Sequence, residues 1–201
     1  MEICAAKSYF KKIDYNHCAL YLKESGLAVN PLWPFLGALP DGIQYCKCHP
    51  KTLVEIKGLF FKQNLLPAVA VADKLIKTTK GYQLKVEKTW YSQIQGQIAI
   101  TGVKRTALVI YTNKGILIVP VEFDPVFWLK ILKKLQLFFV EHLAPGYLQA
   151  ECSKMLRIKN EHSIKPMAYY VICMKTVIAQ FNLCKFDLLD DTIDYNLKLI
   201  V

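Results

Sequence analysis

The interpretation of this chain begins with two short stretches, Pro40-Asp41-Gly42 and Leu53-Val54-Glu55-Ile56-Lys57. Alternate side chains of a β-strand point to the same face, so a strand over the second stretch places Glu55 and Lys57 together. The residues between them then pack on the opposite face. An acid and an amine on one strand face, with Asp41 on a preceding turn, form a set that can hold a divalent metal ion and a water molecule.

The residues around these stretches predict an antiparallel hairpin, with a strand over 43–45, a loop over 46–51 and a returning strand over 52–57. The loop contains Cys46-Lys47-Cys48-His49. Its CxC spacing is tighter than the CxxC of zinc knuckles, and no second Cys/His pair lies at a suitable distance. The sequence therefore predicts a hairpin loop here rather than a zinc site, and it shows no partner for the histidines.

Helical patterns flank the hairpin. Residues 2–12 have apolar side chains at helical spacing, and residues 89–101 form a second helical pattern that ends at Gly102, a favourable residue just beyond a helix. In that second helix, Gln93 and Gln97 are four residues apart and share a face.

The second half of the domain continues with paired strands over 106–111 and 116–123. Asp124 followed by Pro125 is a strong helix start, and the helix is predicted over 126–143, with a stop at Pro145-Gly146. Prolines predict an extended loop near residues 30–34. Residues 58–88 are predicted as a basic connection that includes a helix within 65–76 and a small strand over 81–87.

Composition indicates a globular protein without a membrane segment. Apolar residues make up 53% of the 201 residues and charged residues 21%. No signal peptide or bilayer-length apolar run is present, and seven scattered cysteines indicate free thiols in a reducing compartment. We therefore expect a soluble intracellular protein, with nuclear and cytoplasmic locations left open.

The excess of basic residues is distributed unevenly along the chain. The net charge is +10, and residues 1–148 carry 19 basic and 10 acidic residues. A basic body indicates a polyanionic partner such as DNA, although charge alone also serves solubility. Residues 149–201 follow none of the patterns above, so they are predicted to be an appended C-terminal segment, helical or foreign to the domain.

The chemistry expected from these residues is metal-dependent phosphodiester cleavage. Asp41 and Glu55 can hold the metal ion, while Lys57 can orient the water or offset developing negative charge. Gln93 offers an amide to the water or to the lysine. Each motif also has a plain structural interpretation, because Pro-Asp-Gly is a common turn and Glu-Ile-Lys is common on solvated strand faces.

Four blocks of the sequence stand out: Gly26-Leu27-Ala28-Val29-Asn30-Pro31, Pro34-Phe35-Leu36-Gly37-Ala38-Leu39-Pro40-Asp41-Gly42, Leu53-Val54-Glu55-Ile56-Lys57 and Tyr91-Ser92-Gln93-Ile94-Gln95-Gly96-Gln97. Together these blocks resemble the YqaJ viral recombinase family, which comprises lambda-type exonucleases of the PD-(D/E)xK nuclease superfamily. The resemblance covers roughly residues 1–148. It implies an α/β fold, a restriction-endonuclease-like mixed β-sheet flanked by helices.

The resemblance also implies an exonuclease that acts on duplex DNA ends in recombination or repair, with Mg²⁺ as cofactor and Mn²⁺ as the alternative ion. Asp41 and Glu55 would be metal ligands, Lys57 the catalytic lysine and Gln93 the motif glutamine. Glu2 matches an E-x-x-A helix whose glutamate also serves the metal. Gln95 and Gln97 match less functional positions.

Several departures from the family pattern favour a second hypothesis. Family members usually have more chain before the Glu2 helix, including groups that bind a DNA 5′-phosphate, so the resemblance implies an N-terminally truncated copy. Leu39 replaces a usual serine, and Gly58 stands where Cys-Pro often follows. The alternative is a truncated or domesticated fold that binds DNA or protein without cleaving. Because family members can form rings, a homo-oligomer is also an expectation.

Overall fold

A computed structural model describes residues 2–150, which form a mixed α/β fold with a central sheet flanked by helices. The strands in chain order are β1 (Tyr21–Lys23), β2 (Ala28–Asn30), β3 (Trp33–Ala38), β4 (Gly42–Tyr45), β5 (Thr52–Gly58), β6 (Leu75–Thr78), β7 (Gly81–Leu84), β8 (Arg105–Thr112) and β9 (Gly115–Glu122). The α-helices are α1 (Glu2–Ile13), α2 (Pro67–Ala70), α3 (Thr89–Thr101) and α4 (Pro125–Phe138).

The central sheet has the strand order β1-β4-β5-β8-β9. Strands β5 and β8 pair in parallel, and the other three pairs are antiparallel. The predicted hairpin is confirmed as β4 and β5, in which Gly42 lies opposite Val54. Since parallel neighbours need a crossover connection, the chain between β5 and β8 contains α2, the β6–β7 hairpin and α3.

Strand β5 is the centre of the fold because both of its faces are covered. Leu53 belongs to a core on the α3 side of the sheet, whereas Val54 and Ile56 belong to a separate core on the α1 side. Ala5 and Tyr9 of α1 are buried in this second core. The alternation predicted from sequence is thus confirmed, and it presents Glu55 and Lys57 on the α3 side.

Two predictions for the connecting segments are wrong. The prolines near residues 30–34 do not leave an extended loop, because the side chain of Asn30 accepts a hydrogen bond from the Leu32 N–H at 2.9 Å and turns the chain into β3. Strands β2 and β3 form a separate two-stranded sheet, where Pro34 need not supply a donor to a central ladder. Of the helix predicted within residues 65–76, only α2 is helical, and residues 75 and 76 belong to β6 instead.

The end of the last predicted helix also differs. Asp124 accepts a hydrogen bond from the Phe127 N–H at 2.9 Å, which confirms the predicted cap of α4. However, the helical path continues through a π-helical turn, Phe139–Leu143, and residues 144–150 are helical. A proline clashes with the carbonyl four residues before it, and for Pro145 that carbonyl lies within the wider π-turn, which accommodates the ring.

The described residues fall into two units, residues 2–131 and residues 132–150. Nearly all of the predicted appended segment, from residue 151 onward, lies outside the described residues. Within residues 2–150, no helix is long and apolar enough to cross a membrane.

Candidate active site

Glu55 is a buried carboxylate with three hydrogen-bond donors around it. Only 3% of the residue is exposed, so its negative charge needs partners inside the protein. Lys57, two residues along β5, places its Nζ 2.7 Å from Glu55 Oε1. The strand therefore brings together the acid and the amine that the sequence predicted to share a face.

Helix α3 supplies the other two donors. Gln93 donates from Nε2 to Glu55 Oε1 at 2.7 Å, and its Oε1 accepts a hydrogen bond from Lys57 at 3.1 Å. Gln97 donates to Glu55 Oε2 at 2.8 Å. The sequence interpretation gave Gln97 a lesser role than Gln93, but the signal was present, since residues four apart on a helix face the same way. Gln95 instead bonds the chain just before α4.

Asp41 comes directly before β4, and its Oδ2 accepts a hydrogen bond from the backbone N–H of Ile56. Asp41 is an exposed residue, but partial burial of its carboxyl raises the pKa of that group above its ordinary value, and the negative charge of Glu55 adds to this. The Ile56 N–H and the Lys57 ammonium act in the opposite direction. The Asp41 carboxylate is thus held near a second negative charge.

Glu2 is exposed in the first turn of α1, and its charge also raises the pKa of Asp41. The helix therefore carries this carboxylate into the electrostatic neighbourhood of Asp41. The described residues do not include a tight ligand set made from Glu2, Asp41 and Glu55. Their shared hold on a metal ion stays a prediction.

The Lys57 ammonium is fixed on a third side by an aromatic ring. Its Nζ lies 5.9 Å from the ring centre of Trp90, while Lys74 approaches the same ring at 5.0 Å. Lysine has three N–H donors, and two of them point to Glu55 and Gln93. Within residues 2–150, the third donor of Lys57 has no protein acceptor and can serve a water molecule or a phosphate oxygen.

A second cluster of polar side chains was not predicted. His17 lies beside Cys46, Cys48 and His49, and the four possible ligand atoms are all within 4.8 Å of one another. The expected loop at residues 46–51 is present, but the expectation that its histidine has no partner is wrong. The sequence alone did not reveal this cluster, because His17 lies 29 residues before Cys46 and only the fold brings the two together.

Comparison with known proteins identifies the family. Residues 1–104 match the YqaJ-like viral recombinase domain. The chain belongs to this family. The match contains Glu2, Asp41, Glu55, Lys57 and Gln93, and it confirms the family resemblance found in the sequence.

Solved structures share the fold. An alkaline exonuclease from Laribacter hongkongensis is 20% identical with a TM-score of 0.53, and the likeness covers 75% of this chain and 71% of that one. The structure of the same enzyme in complex with dAMP has the same TM-score and identity, with 75% and 70% covered. At this identity the likeness establishes the fold, and the predicted mixed sheet flanked by helices is confirmed.

A curated relative shares a limited stretch with this chain. A probable disease resistance protein of Arabidopsis thaliana is 29% identical over 113 residues. The alignment covers 50% of this chain and 13% of that protein, so the chain spans only a small part of the relative's length.

Proposed function

We propose that this YqaJ-family domain is a metal-dependent exonuclease that hydrolyses phosphodiester bonds at duplex DNA ends, in recombination or repair. The observation that carries the proposal is the convergence of Lys57, Gln93 and Gln97 on the buried Glu55 carboxylate. A solvated strand face does not need three donors around one acid. The family match and the alkaline-exonuclease fold support the same activity.

The acidic residues fit a hard cation by their chemistry. Asp41 uses one oxygen for the Ile56 N–H, and among the described residues the other oxygen makes no hydrogen bond. Glu55 accepts three hydrogen bonds, whereas an ionised carboxylate has about four acceptor positions. Asp41 and Glu55, with Glu2 from α1, would hold Mg²⁺ or Mn²⁺. The ion would offset phosphate charge and make a bound water more acidic.

The protein's own groups supply position and charge. Glu55 and Gln93 hold the Lys57 ammonium from two sides, so its remaining N–H is aimed without further loss of side-chain freedom. In the proposed site this N–H donates to the attacking water or to a phosphate oxygen as negative charge develops. Gln97 keeps the second oxygen of Glu55 in place from the helix. Lys57 is therefore a catalytic residue, and Gln97 is a positioning residue.

The test uses the purified full chain, linear duplex DNA labelled at one end, and Mg²⁺. Lys57→Ala and Glu55→Gln should each lower the cleavage rate by about 10²–10³-fold, because each removes charge stabilisation or its support. Lys130→Ala and Glu122→Gln are matched controls, since both side chains are exposed on other elements and should leave the rate unchanged. Unchanged rates in the Lys57 and Glu55 variants would contradict the site assignment.

One observation favours the second candidate, a fold that binds DNA or protein without cleaving. Glu2, Asp41 and Glu55 do not form a tight ligand set in the described part of the chain. Duplex DNA that is bound but stays intact with Mg²⁺ and with Mn²⁺ would support this candidate. Metal-dependent cleavage that Asp41→Ala abolishes would exclude it.

A further inference from the structure

The cluster of His17, Cys46, Cys48 and His49 lies outside the proposed nuclease residues and has the geometry of a metal site. His17 follows the short turn after α1, whereas the other three lie in the loop between β4 and β5. The separations involving a ring nitrogen range from 3.1 Å, between His49 Nδ1 and Cys48 Sγ, to 3.9 Å, between His49 Nδ1 and Cys46 Sγ.

These separations match those around a tetrahedral ion. Zinc bonds of about 2.0 Å to nitrogen and about 2.3 Å to sulfur place two nitrogens about 3.3 Å apart, and a nitrogen and a sulfur about 3.5 Å apart. The Nδ1 atoms of His17 and His49 are 3.2 Å apart. His17 Nδ1 lies 3.3 Å from Cys46 Sγ and 3.7 Å from Cys48 Sγ.

Hydrogen bonds among the four groups cannot explain so compact an arrangement. A neutral imidazole nitrogen carries either one proton or one lone pair, so it makes one good hydrogen bond. Here His17 Nδ1 and His49 Nδ1 each face three ligand atoms at once. Four donor atoms around one point, two sulfurs and two nitrogens, are the set that selects zinc.

The backbone builds this arrangement, so it does not depend on side-chain rotation alone. The Lys47 N–H donates to the Cys18 carbonyl at 2.9 Å, which joins the loop to the segment that carries His17. The Cys18 N–H lies 3.3 Å from Cys48 Sγ and donates to it, an interaction that favours the thiolate form needed by a metal. The side-chain amide of Gln44 lies 3.5 Å from the other nitrogen of His17.

We propose that His17, Cys46, Cys48 and His49 bind one structural zinc ion that fastens the segment after α1 to the β4–β5 hairpin. All four positions are taken by protein ligands, which is the pattern of structural rather than catalytic zinc. The same hairpin carries Asp41, and α1 carries Glu2. The zinc site therefore anchors the two ends of the proposed nuclease centre without taking part in cleavage.

Zinc content of the purified full chain tests the proposal. Wild-type protein prepared under reducing conditions with zinc should retain one ion per chain after dialysis. Cys48→Ser and His49→Ala change exposed loop residues, so folding should survive, and each should weaken zinc binding by at least about 10–100-fold. Cys4→Ser and His142→Ala remove an exposed thiol and an exposed imidazole outside the cluster and should retain the ion.

Two further measurements make the outcome decisive. Wild-type protein loaded with Co²⁺ should show the visible and thiolate charge-transfer absorption of a tetrahedral site, and Cys48→Ser should lose it. Glu55→Gln should keep its zinc, which separates this site from the proposed nuclease centre. Zinc-free wild-type protein that takes up no added Zn²⁺, equal zinc in the Cys48 variant, or a Cys46–Cys48 disulfide in place of the ion would overturn the proposal.

Discussion

At the scale of single residues, Glu55 shows how a buried charge is stabilised by neighbours that sequence spacing partly reveals. The pairing with Lys57 follows from strand alternation, and the approach of Gln93 and Gln97 follows from helical spacing. The distance between the strand and the helix is not encoded in either pattern. Sequence therefore predicted Glu55, Lys57 and Gln93 as members of this group and gave Gln97 a lesser role, whereas the hydrogen bonds among all four required the packed structure.

His17 marks the limit of local patterns. Its partners lie 29 to 32 residues away, and no regular spacing connects them. A sequence search for a second Cys/His pair, as in a zinc knuckle, misses this cluster, because the preceding segment contributes only one ligand, His17. Only the antiparallel return of the chain, with β1 beside β4, brings that histidine to the loop.

Asp41 leads to a prediction about stability and pH. Because burial and nearby carboxylates raise the pKa of Asp41 in the folded state above 3.8, the folded state binds the proton more readily than the unfolded state. Ionised Asp41 therefore opposes folding at neutral pH. Asp41→Asn should be more stable than wild type at pH 7, and this advantage should shrink as pH falls through the raised pKa towards 3.8.

Urea denaturation across this pH range measures the effect. Asp73→Asn is the control, because that exposed carboxylate pairs with Lys74 at 3.4 Å and its removal should bring no gain in stability. Added Mg²⁺ should stabilise wild type more than Asp41→Asn, since a bound cation favours the folded state that holds it. An Asp41→Asn variant less stable than wild type at pH 7 would contradict the electrostatic argument.

At the scale of secondary-structure elements, the end of a helix was predicted correctly where the residues next to it define that end. Helix α3 has the bounds that the sequence predicted, because Gly102 adopts a left-handed φ of 69° directly after it. Helix α4 began where Asp124 and Pro125 predicted. The predicted end of α4 was wrong, because the effect of Pro145 depends on the π-helical turn before it. Residue spacing does not reveal that turn.

The left-handed conformation of Gly102 gives a prediction for α3. A side chain at this position would meet no atom within 4 Å, so the cost of Gly102→Ala comes from the backbone alone. We expect a loss of about 1–2 kcal/mol in the free energy of unfolding, measured by urea denaturation. Gly102→Asn should lose less, because asparagine tolerates left-handed backbone better.

Gly26 provides the matched control for this helix end. A side chain there also meets nothing within 4 Å, but the φ of Gly26 lies outside the left-handed range. Gly26→Ala should therefore be neutral, or stabilising by up to about 1 kcal/mol through the unfolded chain. Equal losses in the two alanine variants would show that the left-handed φ does not determine the stability of this helix end.

At the scale of the whole molecule, two cores on opposite faces of β5 hold the proposed nuclease groups between them. The core on the α1 side positions the helix that carries Glu2, and the core on the α3 side positions Gln93 and Gln97. Apolar alternation in sequence predicted both faces of the strand. It could not predict how closely the three carboxylates approach, because that depends on the docking of α1.

Charge is the whole-molecule property that predicts how the proposed DNA substrate would be held. Of the 26 basic residues, six lysines fall within residues 58–88, the connection that leads from β5 to α3. Lys77 of β6 and Lys80 of the following turn are exposed. Contacts between lysines and phosphates release counterions, so they make binding weaken as salt rises.

The last prediction concerns Lys77 and Lys80 as phosphate contacts. A variant with both changed to alanine should bind duplex DNA more weakly and reduce the slope of log K against log salt by about 2, roughly one for each lysine. Fluorescence anisotropy without Mg²⁺ measures binding apart from cleavage. Lys7→Ala with Lys11→Ala is the control, because these exposed lysines belong to α1 on the other side of the sheet. Equal slopes for both double variants would assign the salt dependence to net charge rather than to the β6–β7 hairpin.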